Sequence, residues 1–416
     1  MSDHPIRLVV DDDLQRSRLT VFFRLLLAIP HFFWIVLWSL GVIVLAVVAW
    51  FVALVKGRLP DGLHDFFAMY VRYVTHVTAY LSIAANPYPG FTGAPGYPVD
   101  VEIPGPEQQS RWTIAFRFFL ALPAFILAGV LGWSASGGGS GARAGEDGSN
   151  DAWTGSFIGV AVVCGFLGWF ASVVRGRMPN GLRDLAAYGI GYSARVYAYG
   201  LLLTERYPDS NPDALGQEWS LRSHPVRLQL ADDGRRSRLT VFFRLLLALP
   251  HLVWLLLWSI AALFAALANG IVALVRGRSA DALHRFLSAY VRYTAHVTAF
   301  IFLVANPFPG FAGAVGYPVD ISIGPAERQN RWITLGRTLL VIPALIVSGA
   351  LTSALLAVGF LGWFATLATG RMPTGLRNLG AVAVRYLAQT NAYWFVVTDS
   401  YPYASPALHA PAEAES

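Results

Sequence analysis

Internal repetition is the feature that most constrains this chain. The run Arg18–Ala28 recurs letter for letter at Arg238–Ala248. The same spacing relates His31 to His251. Self-similarity at a fixed spacing is the signature of a duplicated architecture. The two halves of the chain are therefore predicted to fold alike.

Each half repeats again, more loosely. Every repeat carries two arginines six positions apart, then a proline, then a Gly-Arg pair. The copies are Arg18/Arg24, Arg111/Arg117, Arg238/Arg244 and Arg331/Arg337; Pro30, Pro123, Pro250 and Pro343; Gly57-Arg58, Gly176-Arg177, Gly277-Arg278 and Gly370-Arg371. We therefore divide the chain into repeat 1 (1–95), repeat 2 (96–210, with a Gly-rich insertion at 134–151), repeat 3 (211–315) and repeat 4 (316–403). The Ala-, Pro- and Glu-rich tail, 404–416, is expected to be disordered.

Long apolar runs follow the repeated arginines. Leu19–Val55 and Gly159–Val174 are nearly free of charge, and only 13% of the chain is charged. A typical soluble domain carries about 25% charged residues, and about 20 apolar residues span a bilayer. The formal net charge is +6, with arginines at the ends of the apolar runs. That placement favours lipid headgroups over nucleic acid as the basic residues' partner.

The Gly-rich segment determines how we interpret these runs. It splits the apolar run of repeat 2 into Arg111–Trp133 and Ser156–Val174. A flexible polar linker cannot lie in hydrocarbon, so this run is predicted to be two helices with a turn between them. The uninterrupted runs would be about 55 Å long as single helices, beyond a hydrocarbon core of about 30 Å. By analogy, Leu19–Val55, Leu239–Val275 and Trp332–Thr369 are predicted to be helical hairpins, with turns near Trp38-Ser39 and Trp258-Ser259.

A short strand opens each repeat and a further helix closes it. Val99–Ile103 and Val319–Ile323 alternate apolar and polar residues, and four such strands can pair into one small cytoplasmic sheet. The closing helices are Leu63–Ala84, Leu182–Leu203, Leu283–Val304 and Leu376–Val397. They can lie at the interface or span the bilayer. We favour an amphipathic interfacial helix, because two spans per repeat keep all the basic flanks on the cytoplasmic side.

The predicted fold is thus an all-α polytopic membrane protein of four tandem repeats. Each repeat has a short strand, a transmembrane helical hairpin and an amphipathic helix.

The arginines at the helix starts are candidates for lipid contact. An Arg in the first helical turn opposes the helix dipole, yet every repeat has one. A lipid phosphate would offset that cost, and the alternative is a topology anchor that touches only bulk headgroups. The candidate headgroup residues, with the Gly-Arg turns, are Arg18, Arg111, Arg238, Arg331, Arg58, Arg177, Arg278 and Arg371.

Other ionisable residues fall deeper in the apolar runs, where charge is costly. Arg24, Arg117, Arg244 and Arg337 can snorkel to the interface, pair with the closing helix or line a wet cavity. His31 and His251 follow a proline, and repeats 2 and 4 have Ala124 and Ala344 there. An intramembrane histidine is a functional candidate, or it can donate to a carbonyl freed by the proline.

Signs of catalysis are missing from the sequence. His76 and His296 are replaced by Arg195 and Gln389 in the other repeats, so no four-fold metal ring forms, and Cys164 is the single cysteine. We find no hydrolase, metalloprotease or phosphate-loop motif. No catalytic residue, metal or cofactor is therefore expected.

The Arg–six–Arg helix start, the Gly-Arg-Met-Pro-x-Gly-Leu-Arg turn at Gly176–Arg183 and the Tyr-Pro-Val-Asp strands at Tyr97–Asp100 and Tyr317–Asp320 resemble a "domain of unknown function" family of bacterial membrane proteins, here in tandem. The resemblance implies a multi-pass protein of the bacterial cytoplasmic membrane and brings no activity. We expect a non-enzymatic scaffold or accessory protein that contacts anionic lipid on its cytoplasmic face and can recruit protein partners. The alternative is a transporter or channel with a pathway between the halves.

Overall fold

The computed structural model describes residues 4–132, 135–136, 157–215, 217–220 and 224–408. It separates into two compact parts. Half 1 comprises Met1–Asp209 and Asp213–Glu218, and half 2 comprises Ser210–Pro212 and Trp219–Ser416. Each half contains two of the four repeats, so the duplication in the sequence is also a division in space.

Both halves are built mainly from helices, with short strands at the start of each repeat. Half 1 contains β1 (Arg7–Val10), α1 (Arg18–Phe22), α2 (Arg24–Leu27), α3 (Ile29–Lys56), α4 (Asp61–Leu81), β2 (Val99–Glu102), α5 (Arg111–Ala115), α6 (Arg117–Leu131), β3 (Ala135–Ser136), β4 (Phe157–Ile158), α7 (Val160–Arg175) and α8 (Asn180–Gly200). A 3-10 turn at Pro212–Leu215 follows in sequence. Half 2 contains β5 (Val226–Leu230), α9 (Arg238–Phe242), α10 (Arg244–Arg276), α11 (Asp281–Ile301), β6 (Val319–Ile323), α12 (Arg331–Leu340), α13 (Ile342–Thr369) and α14 (Thr374–Trp394).

The apolar runs of repeats 1, 3 and 4 are single long helices, so the predicted hairpins are wrong there. α3, α10 and α13 run unbroken through the positions where a turn was expected. Ser39 illustrates the reason, because its hydroxyl is 2.8 Å from the Tyr70 hydroxyl on α4. Trp38 also packs on Tyr70 and Tyr73. The Trp-Ser pair therefore faces the neighbouring helix instead of forming a turn.

In repeat 2 the insertion interrupts what is one helix elsewhere. Leu131 and Val160, at the break, correspond to Leu351 and Ala354 within the continuous α13. α6 and α7 both pack along α8 and scarcely touch each other, as two halves of one helix would. The antiparallel β3–β4 pair joins Ala135–Ser136 to Phe157–Ile158. Apart from Ala135–Ser136, the insertion 134–151 lies outside the described residues.

Three helices are long and apolar enough to cross a membrane: Arg24–Lys56, Arg244–Arg276 and Ile342–Thr369. Arg117–Leu131 and Val160–Arg175 are apolar but shorter. The outer faces of the long helices expose large apolar side chains, such as Phe33 (74%) and Leu245 (73%). Such a continuous exposed apolar face is typical of a membrane protein. Within the described residues, the closing helices α4, α8, α11 and α14 are not among the candidate spans.

The strands that open the repeats form one two-stranded ladder in each half, so the single four-stranded sheet predicted from the sequence is wrong. β1 pairs antiparallel with β2, Arg7 opposite Glu102 and Val10 opposite Val99. β5 pairs with β6 in the same manner. Each ladder thus joins the two repeats of a half and satisfies backbone groups that a lone strand would leave open.

The closing helices form the core of each half. α4 packs on α8, and α11 packs on α14. A fully buried tyrosine marks the same position in every repeat: Tyr73, Tyr192, Tyr293 and Tyr386. The first part of the tail, residues 404–408, is also buried instead of disordered. The Arg385 guanidinium holds it by donating to the carbonyls of Ser405 and Ala407.

Candidate functional site

The four inner arginines, Arg24, Arg117, Arg244 and Arg337, bind the end of the closing helix in their own repeat. Arg24 donates through Nη1 to the carbonyls of Tyr80 (2.7 Å) and Ala85 (3.1 Å). Arg244 does the same to Phe300 (2.6 Å) and Ala305 (2.9 Å). The last carbonyls of a helix lack intrahelical partners. A guanidinium with several donors is suited to closing such an end.

Repeats 2 and 4 use the same contact. Arg117 donates to the carbonyls of Tyr199 (3.2 Å) and Thr204 (2.8 Å). Arg337 donates to the carbonyls of Tyr393 (2.5 Å) and Thr398 (3.0 Å). In all four repeats the guanidinium stacks 4.1–4.6 Å from the aromatic ring of the first of these partners. The inner arginines are at most 3% exposed, so they pair with the closing helix and do not snorkel.

A second side chain closes each of these helix ends. The residue after the C-cap has left-handed backbone, with φ of 59–62°, although it is never glycine: Ile83, Leu202, Leu303 and Val396. A β-branched residue in this region is strained. The carbonyl of the strained residue accepts from Arg16, Gln109, Arg236 and Gln329, respectively. The start of each long helix therefore holds the end of the closing helix in place.

The outer arginines and the Gly-Arg turns meet at four places, which we call corners. At each corner the start of one long helix lies against the turn of the other repeat in the same half. Corner 1 joins Arg18 to Arg177, corner 2 joins Arg111 to Arg58, corner 3 joins Arg238 to Arg371 and corner 4 joins Arg331 to Arg278. At corner 1 the Arg16 amide donates to Gly176 and the Met178 amide to Leu14. The structure thus brings the eight predicted headgroup residues together in pairs.

Three of the four outer arginines have a partner within the protein that the sequence did not reveal. Arg111 donates to the Val55 carbonyl (3.0 Å), Arg331 to Val275 (2.9 Å) and Arg238 to Ala368 (2.9 Å). Each acceptor lies in the last turn of the neighbouring long helix. The negative end of that helix offsets the unfavourable dipole at the arginine's own helix start. A lipid phosphate is not required for that purpose.

Corners 2 and 4 also contain carboxylates. Glu205 accepts from the Ser110 amide (3.0 Å) and the Thr113 hydroxyl (3.2 Å). Asp399 accepts from the Asn330 amide (2.5 Å). The anion inferred at these two helix starts is therefore supplied by the protein itself. The N-cap residues of α1, α5, α9 and α12 are Ser17, Ser110, Ser237 and Asn330. Only Asn330 caps through its side chain, by accepting from the Trp332 amide.

The two histidines of the long helices lie in aromatic surroundings. His31 Nδ1 is hydrogen-bonded to the Tyr73 hydroxyl (2.7 Å), and its ring packs against Tyr88 and Phe91. His251 repeats the arrangement with Tyr293 (2.7 Å). The partner of Nδ1 is thus a tyrosine of the closing helix, not a carbonyl freed by proline. The Nε2 atoms of both histidines are buried and have no hydrogen-bond partner among the described residues.

Sequence reasoning missed a buried histidine–aspartate pair. His76 Nε2 is 2.8 Å from Asp100, and His296 Nε2 is 2.9 Å from Asp320. A carboxylate only accepts, so Nε2–H is the donor. Burial, with the charge of the nearby Arg292, lowers the pKa of His296 below its ordinary value although Asp320 acts to raise it. The available signal was the recurrence, at the same spacing in both halves, of the histidine and of the Tyr-Pro-Val-Asp motif that follows it at the start of the next repeat.

The Asp320 carboxylate has a pKa below its ordinary range. Burial raises that pKa, but hydrogen bonds from the Gly316 amide, His296 and the Ile321 amide lower it by more than burial raises it. Within the described residues no three metal-ligating side chains come together. The pair is therefore arranged to join the closing helix to the strand of the next repeat.

A groove of about 460 Å³ lies at the start of half 1. It is lined by His4, Pro5, Arg7, Arg72, Glu102, Ile103 and Pro104. Burial and the nearby Arg195 lower the pKa of His4 to about 3. Both polar and apolar side chains line the groove, and His31 is not among them.

A family described as "Domain of unknown function (DUF4389)" matches the chain four times, at residues 18–92, 156–210, 238–312 and 331–405. The second match begins at residue 156, after the insertion and shortly before the start of α7. No curated protein and no solved structure matches the chain significantly.

Proposed function

Since the chain belongs to the DUF4389 family, whose description gives no function, we propose one from its structure. The protein is a non-enzymatic membrane scaffold or accessory protein that contacts anionic lipid through the arginines of its corners. Its localisation is a bacterial cytoplasmic membrane, as the family resemblance implies.

The observation that carries this proposal is how the repeated polar residues are used. The inner arginines, and the residues that hold the strained carbonyls, are bound to helix ends. These contacts build the fold and engage the inner arginines within the protein. What remains exposed is the apolar face of the long helices, edged at both ends by arginines. That combination suits a protein whose main contact is the membrane.

The corners supply the lipid contacts of the proposal. Arg18, Arg111, Arg238 and Arg331 are exposed beside exposed apolar side chains. One charge near an anionic membrane surface contributes about 1 kcal/mol. Because each long helix is continuous, its two ends carry different corners. If that helix spans the bilayer, only one corner of each half faces the cytoplasm.

Transport is the competing function, and the Nε2 atoms of His31 and His251, which lack a partner among the described residues, are the observation in its favour. An ionisable group at membrane depth without a partner can bind a proton or an ion. Both rings are 0% exposed and are covered by aromatic side chains. A scaffold can keep this aromatic packing unchanged, whereas a transporter must move the aromatic side chains to expose the histidines.

Reconstitution into liposomes separates the two functions. The purified protein is placed in vesicles of phosphatidylcholine and phosphatidylglycerol that contain a pH-sensitive dye. The scaffold predicts stable insertion, retained phosphatidylglycerol and no proton or potassium flux above that of empty vesicles. A flux that disappears in the His31→Ala/His251→Ala variant would instead establish transport and overturn the proposal.

A further inference from the structure

The four corners are not electrostatically equivalent. Corners 1 and 3 carry three exposed arginines each: Arg18, Arg175 and Arg177, and Arg235, Arg238 and Arg371. Within the described residues, none of these six side chains is in an ion pair. The nearest acidic residues in sequence, Asp13 and Asp233, accept from the backbone amides of Gln15 and Arg235.

Corners 2 and 4 also carry exposed cations, including Lys56, Arg276 and Arg328, but they differ from corners 1 and 3 in having carboxylates at both the turn and the helix start. At the turn of corner 2, Arg58 faces Asp61 at 3.9 Å, and at corner 4 Arg278 faces Asp281 at 2.7 Å. Glu205 and Asp399 occupy the helix starts of the same two corners. The turns of corners 1 and 3 have Asn180 and Thr374 where these two have aspartates, and Asn86 and Asn306 stand where Glu205 and Asp399 do.

Exposed apolar side chains lie directly beside the arginines of corners 1 and 3. At corner 1, Arg18 is followed by Leu19 (70% exposed) and Phe22 (57%). At corner 3, Leu239 and Phe242 hold the same places at 70% and 60%. A free phosphate would use the arginines alone. A phospholipid would use both surfaces, with its phosphate on the arginines and its acyl chains along the long helix.

We propose that corners 1 and 3 are the two anionic-phospholipid sites of the chain, and that corners 2 and 4 are not. This inference rests on the proposed function and makes it specific. It predicts one lipid site in each half, at the same end of the equivalent long helices. The carboxylates of the other two corners take the place that a lipid phosphate occupies in corners 1 and 3.

The test compares two variants that lose equal charge. Variant A carries Arg18→Gln, Arg177→Gln, Arg238→Gln and Arg371→Gln. Variant B carries Arg111→Gln, Arg58→Gln, Arg331→Gln and Arg278→Gln. Each protein is placed in nanodiscs of phosphatidylcholine with phosphatidylglycerol, and retained lipids are counted by native mass spectrometry. Insertion and helix content are checked in both.

Variant A is expected to retain phosphatidylglycerol about tenfold to thirtyfold less well than the wild type, since two charges leave each site. Variant B is expected to change retention less than about threefold. An Asp61→Asn/Asp281→Asn variant, which removes only exposed carboxylates, is expected to gain lipid at corners 2 and 4. It also serves as the test if Variant A fails to insert. Glycerol phosphate, added as a soluble competitor, should displace little lipid.

The outcomes distinguish a failure of this inference from a failure of the proposed function. Equal loss in Variants A and B would overturn the choice of corners and leave the lipid-contacting scaffold in place. Unchanged retention in both inserted variants would overturn both. Full displacement by glycerol phosphate would show a site for free phosphate and would also overturn the assignment to lipid.

Discussion

The odd repeats (1 and 3) and the even repeats (2 and 4) share one framework and differ in their titratable groups. In all four, an inner arginine binds the end of the closing helix. The odd repeats place asparagine beside that arginine, where the even repeats have Glu205 and Asp399. The odd repeats alone carry the histidines of the long helices and the histidines that pair with an aspartate in the opening strand of the next repeat.

The comparison distinguishes the contacts that build every repeat from the titratable groups that differ between repeats. The contacts kept four times are those that satisfy buried backbone carbonyls, which are costly to leave open. The titratable groups that vary are carboxylates, which balance the charge of nearby arginines where they are present. Where they are absent, the arginines can bind an anion from outside the protein. Corners 2 and 4, formed by the helix starts of the even repeats and the turns of the odd repeats, contain carboxylates. Corners 1 and 3, formed by the helix starts of the odd repeats and the turns of the even repeats, present exposed arginines that have no ion-pair partner among the described residues.

The largest effect is expected from removing an inner arginine. Arg244→Met leaves two or three buried carbonyls without a donor and should lower the free energy of unfolding by about 3–5 kcal/mol. Arg337→Met, in an even repeat, should cost a similar amount. Thermal unfolding in detergent, followed by tryptophan fluorescence, measures both. The matched control Arg238→Met removes an exposed arginine and should cost less than about 1 kcal/mol. If either inner arginine can be replaced without loss of stability, the contact is not part of a framework shared by odd and even repeats.

Exchanging the histidine of an odd repeat for the alanine of an even repeat should have the next largest effect. His251→Ala removes a buried ring that packs on Phe308 and Phe311, and the cavity should cost about 2–3 kcal/mol. The reverse exchange, Ala344→His, should also destabilise, by about 1–3 kcal/mol, because that site is fully packed. If His251→Ala melts at the wild-type temperature, the ring has a role other than packing.

The sequence predicts the repeats and the arginine pairs, prolines and Gly-Arg turns that recur in them, because their spacing is visible without a structure. It failed on the long runs, since the Gly-rich insertion of repeat 2 was taken as the template for the other three. It also could not name the partners of the arginines. Arg24 reaches carbonyls 56 and 61 residues away, and a backbone acceptor leaves no mark in a sequence.

The pH dependence of stability should differ between odd and even repeats. Because burial lowers the pKa of His296, the folded state favours the neutral ring. Its stabilising contribution is complete above the unfolded pKa of about 6.5 and is lost as the pH falls below it. The depressed pKa of Asp320 adds a further loss only below about pH 4.

His296→Gln introduces the residue found in repeat 4, Gln389, which donates to the Val226 carbonyl (3.0 Å). Melting temperatures between pH 7.5 and 5.0 should fall less steeply in this variant than in the wild type. Identical slopes in the two proteins would mean that His296 does not titrate within the fold.

The smallest effect is expected from giving an odd repeat the counter-charge of an even one. Asn306 accepts from Arg244 at 3.3 Å, where repeat 4 has a carboxylate on Arg337. Asn306→Asp replaces a neutral hydrogen bond by a charge-assisted one and should stabilise by about 0.5–1 kcal/mol. Asn86→Asp should act alike in repeat 1. Destabilisation in both would mean that desolvation of the new carboxylate outweighs the pairing.

The comparison between corners depends on each long run being one helix that carries a different corner at each end. Spin labels at Leu245→Cys and Val275→Cys, two exposed positions near the two ends of α10 in a Cys164→Ala background, measure this directly by pulsed electron resonance. A continuous helix places these positions about 45 Å apart. A hairpin brings its two ends within about 20 Å of each other, since packed helices lie about 8–10 Å apart. A distance distribution centred at about 45 Å is the predicted result, and one centred at about 20 Å or less would contradict the account.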